Sequence, residues 1–211
     1  MKNRFYLACF RDNVGSNVAW HAKNGRGYVT DISQAQVYTR EEAQQKWEYA
    51  REYDQPISAD HVDALAVWKV DCQYIPNDLE IDSEHKEYVA YQRRRWDGND
   101  VFFITKKLPS TDFSQAIIFD IKEKVKDPRI IFIPRKMAEN VQRRTFDYAK
   151  LHRRTMVQGA GLTIPEHIKK IIRRSDSGKT RFNCPTCGKI SWQHNPYDFE
   201  GCLDVFCGAY T

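Results

Sequence analysis

The chain has 211 residues, 41% of them apolar and 29% charged, with a formal net charge of +5. That is enough for one or two domains with a real core, and no apolar run approaches the length of a membrane span. The opening MKNRFYLACFRDNV meets Arg11 and Asp12 after a short apolar run and offers no small-residue cleavage site, so the expectation is a cytoplasmic protein without a secretory leader. In a reducing cytoplasm, paired cysteines serve more often as metal ligands than as disulfides.

The first elements form a strand pair turning at Asn13-Val14-Gly15-Ser16, where glycine supplies the positive φ of a tight hairpin. TDISQAQVYTREEA follows from Thr30, and TDFSQAIIFDIKEK repeats it from Thr111, with five of the first six positions identical. Upstream, Gly15-Ser16-Asn17-Val18 lines up with Gly98-Asn99-Asp100-Val101. Thr39 with Glu42, and Asp120 with Glu123, read as capping boxes in which the Glu three residues on reaches back to the cap N–H. The first box opens a helix running to about Tyr53, and the second a helix stopped by Asp127-Pro128. The apolar strands expected after these helices are ALAVWKVDC, from Ala64, and RIIFIPRK, from Arg129. Each copy thus reads as strand, strand, helix, strand, with boundaries at 1–80 and 81–135. A duplicated module of this kind suits a binding platform more than a catalytic cleft.

The step Gly27-Tyr28-Val29-Thr30, leading to Ala35, Tyr38-Thr39 and Glu41-Glu42-Ala43, resembles a module of small phage and bacterial proteins. The resemblance covers about residues 5–45. It implies a phage or mobile-element origin and carries over no functional residue.

Residues 135–181 hold thirteen Lys/Arg against four Asp/Glu, whereas the stretches before and after are each slightly acidic. Within it, 136–157 reads as one helix with Met137, Val141, Tyr148 and Leu151 along a face. After Gln158-Gly159-Ala160-Gly161, Thr163-Ile164-Pro165-Glu166 opens a second helix, with Thr163 as cap and proline in the first turn. This basic helical connector, 136–180, offers Arg143, Arg144, Arg153, Arg154, Lys169, Lys170, Arg173 and Arg174 as phosphate contacts. An acidic patch on a protein partner would suit the same charges.

Cys184-Pro185-Thr186-Cys187-Gly188 has the spacing of a zinc knuckle, and Cys202 and Cys207-Gly208 supply a second pair. The segment 181–211 resembles a zinc ribbon, with a specific CPxCG half and a wider second half. The ligands expected are Cys184, Cys187, Cys202 and Cys207, with His194 as the competing ligand should Cys202 not coordinate. Four thiolates around Zn²⁺ close the coordination shell, so the ion would be structural. Cys9 and Cys72 fall in apolar strands and read as buried, inert thiols.

No glycine-rich phosphate loop, nucleophile elbow or histidine pair at ligand spacing is present in the sequence. A metal-dependent nuclease built on His194 and Asn195 would need a second histidine and a ββα site. The reading is therefore an α+β protein of two related modules, a basic connector and a zinc ribbon. It acts as a non-enzymatic binding protein for nucleic acid or a nucleic-acid-processing machine, with no small-molecule substrate and no membrane. The alternative is an inhibitor or adaptor acting on a host polymerase or defence complex.

Overall fold

In the computed structural model, residues 3–78, 84–120, 127–175, 178–195 and 197–211 are described. The chain is α+β and divides into two compact units, Met1–Thr163 and Ile164–Thr211. The first unit begins with β1 (Arg4–Val14), β2 (Asn17–His21), β3 (Tyr28–Val29), β4 (Val37–Thr39), α1 (Arg40–Glu48), β5 (Asp54–Ser58), α2 (Ala59–Leu65) and β6 (Val67–Lys69). It then repeats as β7 (Glu87–Asp97), β8 (Asp100–Phe103), β9 (Phe119–Asp120), β10 (Ile130–Pro134), α3 (Arg135–Val141) and β11 (Arg143–Thr145).

The duplication therefore runs further than its letter identity. In each copy the long first strand carries one edge strand on one side, β5 on β1 and β10 on β7. Its other side is shared by the hairpin partner and a short strand: β2 and β4 on β1, β8 and β9 on β7. The repeated TD-S-Q-A has a physical cause. Asp31 and Asp112 each accept from the N–H two residues on, Ser33 at 2.9 Å and Ser114 at 3.0 Å, closing a short 3-10 turn. Asp71 and Asp147 do the same for Gln73 and Ala149, so each copy ends on a second turn of this kind.

The Thr39–Glu42 capping box forms with both of its hydrogen bonds, and α1 ends at Glu48 rather than near Tyr53. The expected Asp120–Glu123 box falls largely on 121–126, outside the described residues. The strand that follows α1 is β5, DQPIS, not ALAVWKVDC. Pro56 disguises it in the sequence, and its edge position makes the missing N–H harmless.

The single helix expected over 136–157 is replaced by α3, β11, the Asp147 turn and a π-helical turn, Arg154–Gln158. Residues 136–163 thus belong to the first unit. Helical periodicity ends at Val141 because the following residues have a strand to pair with: β11 lies antiparallel to β6 of the other copy, Arg144 opposite Trp68. That pair is its own image when the copies are exchanged, and a pseudo-two-fold axis passes through it. The bridges obey the same exchange, with Asn17 opposite Asp147 and Asp71 opposite Asp100. So do the bonds from Val18 N–H to Phe146 O and from Val101 N–H to Val70 O, at 3.0 and 3.1 Å. Each copy sends its last segment into the other's core. Phe146 packs edge-on against Trp20, and Val70 joins the cluster of Val101, Phe103 and Ile133. The two hairpin turns meet at the axis. A Cβ on Gly15 would lie 2.4 Å from Gly98 N, and one on Gly98 would lie 2.7 Å from Gly15 N.

The second unit comprises α4 (Glu166–Ser175) and the antiparallel pair β12 (Thr180–Asn183) and β13 (Ile190–Gln193), followed by the last cysteine pair. No described helix is long and apolar enough to cross a membrane.

Candidate metal centre

Two knuckles bring the four cysteines of the second unit together. In the first, Gly188 N–H donates to Cys184 O and Cys184 N–H to Lys189 O, both at 2.8 Å, and Gly188 takes φ +69°. In the second, Cys207 N–H donates to Asp204 O at 2.9 Å, and Cys202 N–H to Ala209 O at 2.7 Å. Amides are aimed at sulfur as well: Asp204 N–H lies 3.4 Å from Cys202 Sγ and Ala209 N–H 3.5 Å from Cys207 Sγ. The wider Cys202–Cys207 spacing is therefore accommodated by a turn centred on Asp204, whose carboxylate is held by Lys189.

All four sulfurs lie within 4.8 Å of one another. Cys184 Sγ is 3.7 Å from Cys207 Sγ, and Cys187 Sγ is 3.6 Å from Cys202 Sγ. A disulfide needs about 2.05 Å, so these sulfurs are not bonded in pairs. A tetrahedron with metal–sulfur bonds of about 2.3 Å has edges of about 3.8 Å, which these two Sγ–Sγ separations match. Cys184, Cys202 and Cys207 are buried and Cys187 is exposed. The cluster could hold one metal ion. Burial works against ionising Cys184, but the Cys187 and Thr186 amides prevail and bring its thiol down to about 6. At Cys207 the Ala209 amide favours the thiolate, yet burial and the other three sulfurs push it up to about 12. Four thiolates this close together would need a cation among them. His194 is exposed and stands outside the cluster.

The basic residues are dispersed. Arg143 is nearly buried, 2.7 Å from Asp100 and 3.6 Å from Asp71, with its Nε donating to Thr30 at 3.2 Å. Lys69, 2% exposed, lies 3.6 Å from both Asp97 and Asp100 and donates to Ser16 at 3.0 Å. This charge network joins the two copies. Arg144 pairs with Asp63 at 3.0 Å, and Arg153 donates to Gln55 and lies over the Phe10 ring. Arg154 is exposed on the π-helical turn. In the second unit Lys169 pairs with Glu166 at 2.6 Å, and Lys170 is exposed. Arg173 and Arg174 lie in α4, with their side chains outside those described.

Sequence reading did not single out Arg181, which sits directly opposite Trp192 on the exposed face of the β12–β13 hairpin. The signal was the alternation of TRFN against ISWQ, which puts Arg181 and Trp192 on the face opposite Ser191 and Gln193. Comparison with protein-family models, with curated proteins and with solved structures returns no match.

Proposed function

We propose that the chain is a non-enzymatic binding protein whose second unit is a zinc ribbon that engages nucleic acid. The observation that carries the reading is the four-sulfur cluster, whose spacing suits tetrahedral Zn²⁺ and whose closed shell would leave no position for substrate or water. Cations stand in the same unit: Lys169, Lys170, Arg173 and Arg174 in α4, and Arg181 beside Trp192 on the hairpin. A phosphate chain needs such cations, and an exposed indole offers a base a stacking face. Arg143 and Arg144, held by carboxylates in the first unit, take no part in this surface.

The test is filter binding of single- and double-stranded DNA and RNA from about 50 to 200 mM salt. Affinity falling steeply with salt, and weakened by Lys170→Ala with Arg181→Ala, supports the reading. No binding at low salt, or binding indifferent to salt, contradicts it. A protein partner is the second reading, a host factor if the chain is phage-encoded. It is favoured by the last knuckle, where Leu203, Val205 and Phe206 are 68%, 63% and 94% exposed. Pull-down that survives nuclease treatment and fails with Phe206→Ser would select it.

A further inference from the structure

The two copies of the module make the same sheet but treat one face of it in opposite ways. In the second copy Ala90, Ile104, Phe119, Ile130 and Phe132 meet as an apolar cluster, with the Phe119 and Phe132 rings 5.2 Å apart. Strand register assigns their counterparts in the first copy: Leu7, His21, Tyr38, Asp54 and Pro56. There the face is not filled. It opens into a cavity of about 560 Å³, covered on one side by the end of α1 with Gln45, Lys46 and Tyr49.

Asp54, 3% exposed, is clamped between His21 Nε2 at 3.1 Å and Arg51 Nε at 2.7 Å, and Arg51 also bonds the Tyr28 hydroxyl. Burial works against charge on Asp54, but Arg51 and His21 hold it below its ordinary pKa, so its carboxylate accepts from His21 Nε2–H. Tyr28 stands edge-on to the His21 ring at 5.0 Å. Burying a carboxylate is costly where hydrocarbon would serve, and the sister copy shows that hydrocarbon serves in this scaffold. Stability alone gives no reason for the polar set. The volume lies within the range of small-molecule sites, which combine apolar walls with a few convergent polar groups.

Lys46 is exposed and pairs with no described carboxylate, so its ammonium is available to an anion. Tyr49, 88% exposed at the rim, offers a ring face, and Gln45 an amide. We infer that the cleft between α1 and the first sheet binds a phosphorylated nucleoside, with phosphate at Lys46, the base against Tyr49, and His21 with Arg51 lining the floor. The ligand is either a free nucleotide or the phosphorylated end of a strand. All the residues of this site belong to the first unit, and it shares none with the surface proposed for the second.

Isothermal titration of the metal-loaded full chain with AMP, GMP, CMP and UMP, and with a 5′-phosphorylated tetranucleotide, tests it. Saturable binding of at least one probe is expected. Lys46→Ala and Tyr49→Ala, both exposed positions that leave folding intact, should each weaken it roughly ten-fold. His21→Ile, which installs the residue of the second copy, should abolish it. Binding confined to the tetranucleotide and lost in Lys46→Ala identifies a strand end, and binding of the mononucleotides identifies the free ligand. Lys170→Ala with Arg181→Ala should leave the titration unchanged, so failure here and failure of the nucleic-acid surface are separable. The inference is overturned if no probe saturates below about 1 mM, if the unphosphorylated nucleoside binds as tightly, or if Lys46→Ala has no effect.

Discussion

Replacing Arg143 by methionine removes one charge from a largely buried network and keeps an unbranched stem in place. Asp100 is wholly buried. It retains the Asn17 amide at 2.6 Å and the Lys69 ammonium at 3.6 Å but loses the guanidinium at 2.7 Å, while Asp71 loses its contact at 3.6 Å. Removing one partner of a buried ion pair costs about 3–5 kcal/mol, and the remaining Lys69 argues for the lower end. A loss of ~3 kcal/mol in a unit of this size lowers Tm by roughly 6–12 °C. Arg154→Ala, at an exposed position, should cost less than about 0.5 kcal/mol. The pH dependence has a definite sign. Burial holds the Asp100 carboxyl above its ordinary pKa despite Asn17, Arg143 and Lys69, and removing Arg143 raises it further. A carboxyl raised on folding keeps its proton longer in the native state, so its ionisation subtracts stability as pH climbs through the folded pKa. The deficit of the variant should therefore be full at neutral pH and shrink in acid. Calorimetry at about pH 7 and about pH 4.5 reads both effects. A Tm loss below about 2 °C, or a deficit that grows in acid, would mean that Arg143 faces solvent, as it would on a helix spanning 136–157.

Gly98→Ala should cost several times more than Gly25→Ala in urea midpoints. Both residues have positive φ, worth about 1–2 kcal/mol, but only Gly98 is backed by another turn, whereas nothing lies within 4 Å of a Cβ on Gly25. Thr39→Ala removes the cap of α1 and should cost about 1 kcal/mol in the same assay. Chelation should disturb the indole resonance of Trp192 and leave those of Trp20 and Trp47, buried in the first unit, in place. Simultaneous collapse of all three signals would show that the first unit also depends on the metal.

The cysteine cluster was legible because a metal site needs few residues at fixed spacings, and CPxCG states half of it outright. The repeat was legible at Asp31 and Asp112, where the same cap closes the same turn, and at Gly15 and Gly98, where two turns press together. Other features stayed hidden because partners remote in sequence decide them. Arg143 to Thr145 become a strand because β6, 76 residues earlier at the equivalent position, needs a partner and because Asp71 and Asp100 need a cation. The counterpart of IIFIP is DQPIS, in which polar residues replace most of the apolar run. Asp54, which opens that strand, belongs to the His21–Asp54–Arg51 cleft, so part of the signal that concealed the strand is the feature on which the proposed nucleotide site rests.

X-ray absorption at the zinc edge of the purified chain, joined to metal stoichiometry, bears most directly on the four-thiolate centre. The account predicts one zinc per chain surrounded by four sulfurs at about 2.3 Å and no light-atom ligand. A chain without metal, or a shell in which a histidine nitrogen or water replaces sulfur, would contradict it.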